Sequence, residues 1–267
     1  MFLDLKVQGH RGCAARHPEN SIEGVCAALA AGAFAVEIDV HLTADEQLVV
    51  LHDEVITPPG YAIETPLVVA EHPLHRIEGM FFGDGRDPRF AHLDASTYPV
   101  QVPSLRTLLA HPSIPIHKIN IELKSDRRRR NRAYAEAVAD CLSNRMPFRV
   151  KSFDSDLLQA VHQRLPLPCY HYLIPETVLG DPGALPELEA MPWLEGVCMH
   201  WSQVDANTVA RFGERGLHVS VYTVNLIDEA EKVYRLGVRD ILSDDPAAMI
   251  DQLVFHNGDA NPSDGLT

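Results

Sequence analysis

Glu37 and Asp39 lie two residues apart in the run AVEIDV. In an extended strand such side chains leave the same face, with their Cα atoms roughly 6.6 Å apart. Two carboxylate charges about 4 Å apart at an effective dielectric near 20 repel by ~4 kcal/mol, so such a pair calls for a cation or a proton between them. Glu122, in the run INIEL, could supply a third carboxylate. Three carboxylates without a thiol form a hard, all-oxygen donor set that suits Mg²⁺ or Ca²⁺ better than zinc. The same acids could instead close ion pairs with Arg or Lys at the rim of a sheet, and spacing alone leaves both readings open.

His10 and Arg11 end a first apolar run, and His52 ends the run QLVVLHD, which returns beside the strand bearing Glu37 and Asp39. Histidine can take or give a proton near neutral pH, so two of them can act as general base and general acid on opposite sides of a phosphorus centre. Arg11 offers a bidentate grip on phosphoryl oxygens. Lys124 stands two residues beyond Glu122 and can share its face as a second positive donor. The block Arg127 to Arg130, followed by Arg132, reads as a solvated loop and helix start rather than a nucleic-acid arm, because it is one short run in an acidic chain.

These residues need a scaffold that brings strand ends together. Eight apolar or β-branched runs are spread along the chain: Lys6 to His10, Ala35 to Val40, Ile119 to Leu123, Arg149 to Phe153, Cys169 to Leu173, Gly196 to Trp201, His218 to Val224 and Asp240 to Ser243. Helical patterns alternate with them. Ile22, Val25, Cys26 and Leu29 recur at helical spacing, with Asn20 expected as N-cap and Gly32 as the stop. Tyr134, Val138, Cys141 and Leu142 form a second stripe, and Leu157, Leu158, Val161 and Leu165 a third. A fourth comprises Ile227, Ala230, Val233 and Tyr234, opened by Asn225 and closed by Gly237, and a weaker one spans Asp205 to Gly216. Sustained strand-helix alternation means a parallel sheet, and eight units in about 250 residues fit a closed (β/α)₈ TIM barrel, an open doubly wound sheet being the lesser alternative.

One segment breaks the rhythm. From about residue 54 to 102 the chain carries PPGY, MFFGDGRDP and STYP without a clean period, which reads as a small inserted subdomain after the second strand. The expected organisation is one barrel domain over residues 1–256, with that insertion and a polar tail over 257–267.

The 267 residues carry 23 Lys and Arg against 37 Asp and Glu, a formal net charge of −14, so binding to a nucleic-acid backbone is disfavoured. With 46% apolar residues the chain can form a sizeable core, yet its longest apolar stretch, Val25 to Val36, falls short of a membrane span. The opening MFLDLKVQGH has no leader-like apolar core, which makes the cytoplasm the default compartment. Five cysteines, Cys13, Cys26, Cys141, Cys169 and Cys198, form no C-x-x-C pair and read as reduced, mostly buried thiols. A homo-oligomer is compatible with the sequence.

GHRG at 9–12, PENS at 18–21, EID at 37–39, Thr43 with Asp45, and VVLHD at 49–53 together resemble the N-terminal signature of the glycerophosphodiester phosphodiesterases. VPSL at 102–105, NIELK at 120–124, SFD at 152–154, VYTVN at 221–225 and DILSDDP at 240–246 resemble the later blocks of that family in order, VYTVN being similar to its cytosolic bacterial branch. After His52-Asp53 the chain reads EVITPPGY where relatives carry an R-T-T-G-like stretch.

The resemblance implies metal-dependent hydrolysis of small-molecule glycerophosphodiesters to glycerol 3-phosphate and an alcohol. It implies His10 and His52 as the catalytic pair, and Glu37, Asp39 and Glu122 as ligands of a divalent ion, Mg²⁺ or Ca²⁺. Arg11 and Lys124 would contact phosphate, and Tyr222 would line the pocket where relatives often carry Trp. A related phospholipase or sphingomyelinase-type phosphodiesterase, or a barrel that binds a phosphorylated metabolite without catalysis, are the alternatives. A metal-dependent amidohydrolase could draw on Lys151, His171, His200 and Asp244, but needs an H-x-H on the first strand where this chain has His10-Arg11-Gly12.

Overall fold

The computed structural model describes residues 2, 4–57, 64–82, 100–167, 169–178 and 186–258. Eight parallel strands close into a barrel: β1 (Lys6–Gly9), β2 (Ala35–Leu42), β3 (Ile119–Leu123), β4 (Arg149–Ser152), β5 (Tyr170–Leu173), β6 (Gly196–His200), β7 (His218–Tyr222) and β8 (Asp240–Ser243). Closure comes from β1, which pairs with β8 from Lys6↔Asp240 to Gly9↔Ser243 and with β2 at Gln8↔Ala35. All eight strands expected from the sequence form, several ending a residue or two early, so His10 stands just past β1.

The helices are α1 (Ile22–Ala30), α2 (Leu105–Leu109), α3 (Asn131–Cys141), α4 (Ser155–Arg164), α5 (Pro186–Glu189), α6 (Ala206–Glu214), α7 (Ile227–Arg235) and α8 (Pro246–Gly258). Two helix starts differ from the sequence reading. Ser21, not Asn20, caps α1, its Oγ accepting from Gly24 N at 3.0 Å, while Asn20 sits at φ 60° with its amide turned to Asp39. Leu226, not Asn225, precedes α7; the Glu229 carboxylate there accepts from the backbone N–H groups of Asn225 and Leu226. The polar side chain that looked like a cap is in each case spent on an acid beside the cavity, so helix and site compete for it.

Strand alternation divides the barrel wall. Val36, Ile38 and Val40 of β2, Ile121 of β3, Val150 of β4 and Ile241 of β8 pack outward in one core with α1, α3 and α4 residues such as Val25, Tyr134 and Leu158. The intervening side chains fill the barrel, where layers of Val, Ile and Leu are customary. Here the lower layer is polar: Arg149 and Gln8 both bond Asp240, Asn120 donates to Gln8 Oε1 at 3.0 Å, and His171 is wholly buried beside them. Leu173, Cys198 and Leu242 form an apolar layer above, with Tyr222 against it. The five cysteines are free, three of them buried and Cys26 and Cys141 half-buried.

Between β2 and β3 a strand Leu48–Val50 runs antiparallel to β2 and delivers His52. Beyond it, Val55–Ile56 pairs with Leu67–Val68 and Phe81–Phe82 with Val100–Gln101. Leu51, Ile56, Val69, Ile77 and Val102 form a small core of their own. The PPGY and STYP motifs and most of MFFGDGRDP lie outside the described residues. Asn257 and Gly258, expected in the tail, continue α8, and the rest of that tail also lies outside the described residues. Arg130 is no solvated loop residue: it bonds Asp126 and donates to the carbonyls of Leu42 and Thr43, pinning the end of β2. Among the described residues no helix is long and apolar enough to cross a membrane.

Candidate active site

The loop after β1 is shaped by two glycines. A Cβ on Gly9 would come within 2.4 Å of the Gly12 carbonyl oxygen, and Gly12 itself has φ 92° with Gly24 packed against it. That turn, with Arg11 at φ 53°, aims the Arg11 backbone N–H at Glu37 Oε2, 3.0 Å away. The GHRG run is therefore a backbone device as much as a pair of side chains.

Glu37 and Asp39 project inward from β2 and Glu122 from β3, in register with Asp39. All three are buried, and each offers a carboxylate oxygen within 4.8 Å of the others. Asp39 is held on every side. Asn20 donates to its Oδ2 at 2.8 Å and accepts from its backbone N–H at 2.9 Å; Lys124 Nζ lies 2.8 Å from Oδ1 and Arg11 Nε 3.3 Å from Oδ2. Burial alone would raise the Asp39 carboxyl, but Lys124 and then Arg11 outweigh it and hold the group ionised far below the usual carboxylate range. Glu122 goes the other way: burial and then the neighbouring Asp39 raise it against the pull of Lys124. Lys124 also bonds Glu122 directly. Glu37 Oε1 is left without a hydrogen bond, and Lys151 Nζ stands 3.7 Å from it.

The two histidines are set up alike. His10 Nδ1 is 2.7 Å from Asp244 Oδ1, and His52 Nδ1 is 2.9 Å from Asp53 Oδ1. A carboxylate accepting from Nδ1–H leaves Nε2 as the ring nitrogen that can gain or lose the second proton. Asp244 is clamped in turn by Asn225, which donates to Oδ2 at 2.7 Å and accepts from the Asp244 N–H at 2.9 Å. Burial would raise Asp244, but its bond to His10 keeps it below its ordinary value. The His52 carbonyl accepts from His41 Nε2 at 2.9 Å.

His10, Arg11, His52, Glu122 and Lys124 line one cavity of about 320 Å³, with Lys151 at its floor. Its far wall is aromatic: Tyr222 stands edge-on to Phe153 at 6.3 Å and to His200 at 5.9 Å. Burial pushes the Tyr222 hydroxyl up, so it stays protonated. Every site residue expected from the sequence thus falls in or directly beneath this cavity.

The sequence reading missed Asn20 and the orienting place of Asp244. It considered Lys151, His200 and Asp244 only for an amidohydrolase; the first two line this cavity and Asp244 binds His10, while His171 lies in the polar layer below with Arg149 and His218. The signal for Lys151 was available, since Arg149 and Lys151 alternate with Val150 and must share the inward face.

Residues 10–248 match the model of the Glycerophosphoryl diester phosphodiesterase family. The chain belongs to this family. As a member it is an enzyme of the phosphoric diester hydrolase class. A protein of Caldanaerobacter subterraneus subsp. tengcongensis named glycerophosphodiester phosphodiesterase is 25% identical over 255 residues, spanning 91% of this chain and 96% of that one. Among solved structures, an Oleispira antarctica phosphodiesterase in complex with the product sn-glycerol-3-phosphate superposes with a TM-score of 0.77 at 21% identity, covering 93% of this chain and 96% of its own. The Thermotoga maritima glycerophosphodiester phosphodiesterase gives 0.70 at 22% identity, covering 93% and 98%. Both share the closed eight-stranded barrel of this family member.

Proposed function

We propose that this family member hydrolyses glycerophosphodiesters to glycerol 3-phosphate and an alcohol, using a divalent ion held by Glu37, Asp39 and Glu122 and two proton carriers, His10 and His52. The observation that carries this reading is one cavity holding two imidazoles, each with Nδ1 bound by its own carboxylate, above three clustered acids. The product in the Oleispira antarctica fold neighbour is of the same chemical class.

The residues suit such an ion. The donors are all carboxylate oxygens, as Mg²⁺ and Ca²⁺ prefer, and Glu37 Oε1 is a buried acceptor with no hydrogen-bonded partner. When bound, the ion would offset the acids and polarise a phosphoryl oxygen. Arg11 and Lys124 would grip the other oxygens; Lys124, partly open to the cavity, can turn from Asp39 and Glu122 toward a phosphodiester.

The proton traffic belongs to the histidines. One Nε2 takes the proton of the glycerol hydroxyl adjacent to the phosphoester as that oxygen bonds to phosphorus, and the other ring gives a proton to the departing alcohol oxygen as its bond to phosphorus breaks. A cyclic glycerol phosphate results. Water opens it when the ring that gave its proton takes one from water and the other returns its proton to the ring oxygen. Asp244 and Asp53 hold each ring with Nδ1 protonated throughout. The aromatic wall of Phe153, Tyr222 and His200 would receive the apolar parts of the substrate.

Residues 1–256 would act as one catalytic domain, with the insertion at 54–102 shaping the mouth. Purified protein given glycerophosphocholine with Mg²⁺ or Ca²⁺ should release glycerol 3-phosphate and choline in equal amounts. Release of phosphocholine and glycerol instead, or no turnover with either ion, would refute the assignment.

A further inference from the structure

Three cations are built in around the three acids of the cavity, and they differ in freedom. Arg11 is tied to Glu19 at 2.9 Å and to Asp39 at 3.3 Å. Lys124 bonds Asp39 and Glu122, but its side chain is 17% exposed and lies where a substrate would enter. Lys151 is only 2% exposed, rises from the middle of the barrel on β4, and its ammonium stands 3.7 Å from Glu37 Oε1, the one fully buried carboxylate oxygen among the described residues without a hydrogen bond.

A divalent ion at the triad would need Glu37 Oε1, the open acceptor. Lys124 can swing into the cavity as the ion arrives. Lys151 is far less exposed than Lys124, and its ion pair with Glu37 holds it at the cavity floor beside the triad. Its ammonium therefore stays beside the acids that would hold the ion.

We propose that Lys151 is a resident counter-charge for Glu37 that keeps the acid triad assembled when no ion is bound and, by like-charge repulsion, sets a low ion affinity. This inference rests on the triad being the ion site. It has two separable consequences: losing the ammonium weakens the ion-free protein, since a buried carboxylate is then uncompensated, and it tightens ion binding, since the remaining repulsion disappears.

The test is calorimetric titration of the full chain with Ca²⁺ and with Mg²⁺, paired with thermal melting in EDTA, for wild type, Lys151→Met, Lys151→Gln and Lys151→Arg. The expected result is at least a tenfold lower dissociation constant and a lower melting temperature in EDTA for both neutral variants, with wild-type ion affinity in Lys151→Arg. Lys151→Gln carries the same expectation as Lys151→Met, so a folding failure of one leaves the other decisive. An equal or higher dissociation constant in the neutral variants overturns the role of Lys151 while leaving the ion site standing. Absence of ion binding in all four proteins removes the ion site and this inference together.

Discussion

His10 Nδ1 lies 2.7 Å from Asp244 Oδ1, joining the residue after the first barrel strand to the residue after the last across 234 positions of sequence. The contact exists because β1 and β8 are neighbours at the closure of the barrel, with Gly9 opposite Ser243 and the His10 N–H donating to the Ser243 carbonyl at 2.8 Å. Asn225 locks the acid from the far side. Fold closure and the tautomer of a proposed proton carrier are thus one structural event.

Asp244→Asn keeps the shape of that contact but removes the charge that fixes Nδ1 as the donor. Turnover should fall about tenfold to hundredfold, a fraction of what general acid-base catalysis supplies, with KM within about threefold of wild type, since Asp244 does not touch the phosphate grip. Asn225→Ala should show a smaller drop of the same kind. Steady-state kinetics measure both, and an unchanged kcat in Asp244→Asn would remove the orienting role.

His10→Ala and His52→Ala should each lower kcat by at least ~10²-fold. Both rings are partly exposed at the cavity, so thermal melting should move little while turnover collapses. Wild-type-like turnover in either variant would strike that histidine from its role.

His171 gives a pH signature unrelated to catalysis. Burial, then Arg149 and His218, push its pKa well below the ordinary 6.5, so it is neutral in the folded barrel. Below about pH 6.5 the unfolded chain takes up a proton there that the folded chain refuses. Stability is therefore fully present above that pH and is lost as pH falls below it, by up to ~1.4 kcal/mol per pH unit until the folded-state pKa is reached. Urea unfolding between pH 5 and 8 should show this slope, shallower in His171→Gln than in wild type. Equal slopes would mean that His171 is not the group responsible.

Much of this site could be read from the chain, and the failures share a cause. Glu37 and Asp39 were legible because strand alternation is local: two residues apart on β2 must mean one face. Glu122 on β3 and Lys124 just beyond its end followed from the same two-residue spacing. Asn20 was misread because an Asx residue at a helix start is the ordinary mark of an N-cap, and nothing local reveals that its amide is bound to Asp39. Asn225 was misread for the same reason. Asp244 had no assigned partner because the β1–β8 pairing is set by closure of the whole barrel. Local periodicity thus specified faces and strands, whereas side-chain pairing across distant strands came only with the fold.

The most direct measurement of the central claim is glycerol 3-phosphate release from glycerophosphocholine by protein stripped with a chelator and then given Mg²⁺ or Ca²⁺, for wild type and for Glu37→Gln. Wild-type activity should disappear on stripping and return with one of the ions, and Glu37→Gln should stay at least ~10²-fold below it at any attainable ion concentration. Full turnover in the chelator, or full turnover of Glu37→Gln, would contradict the account.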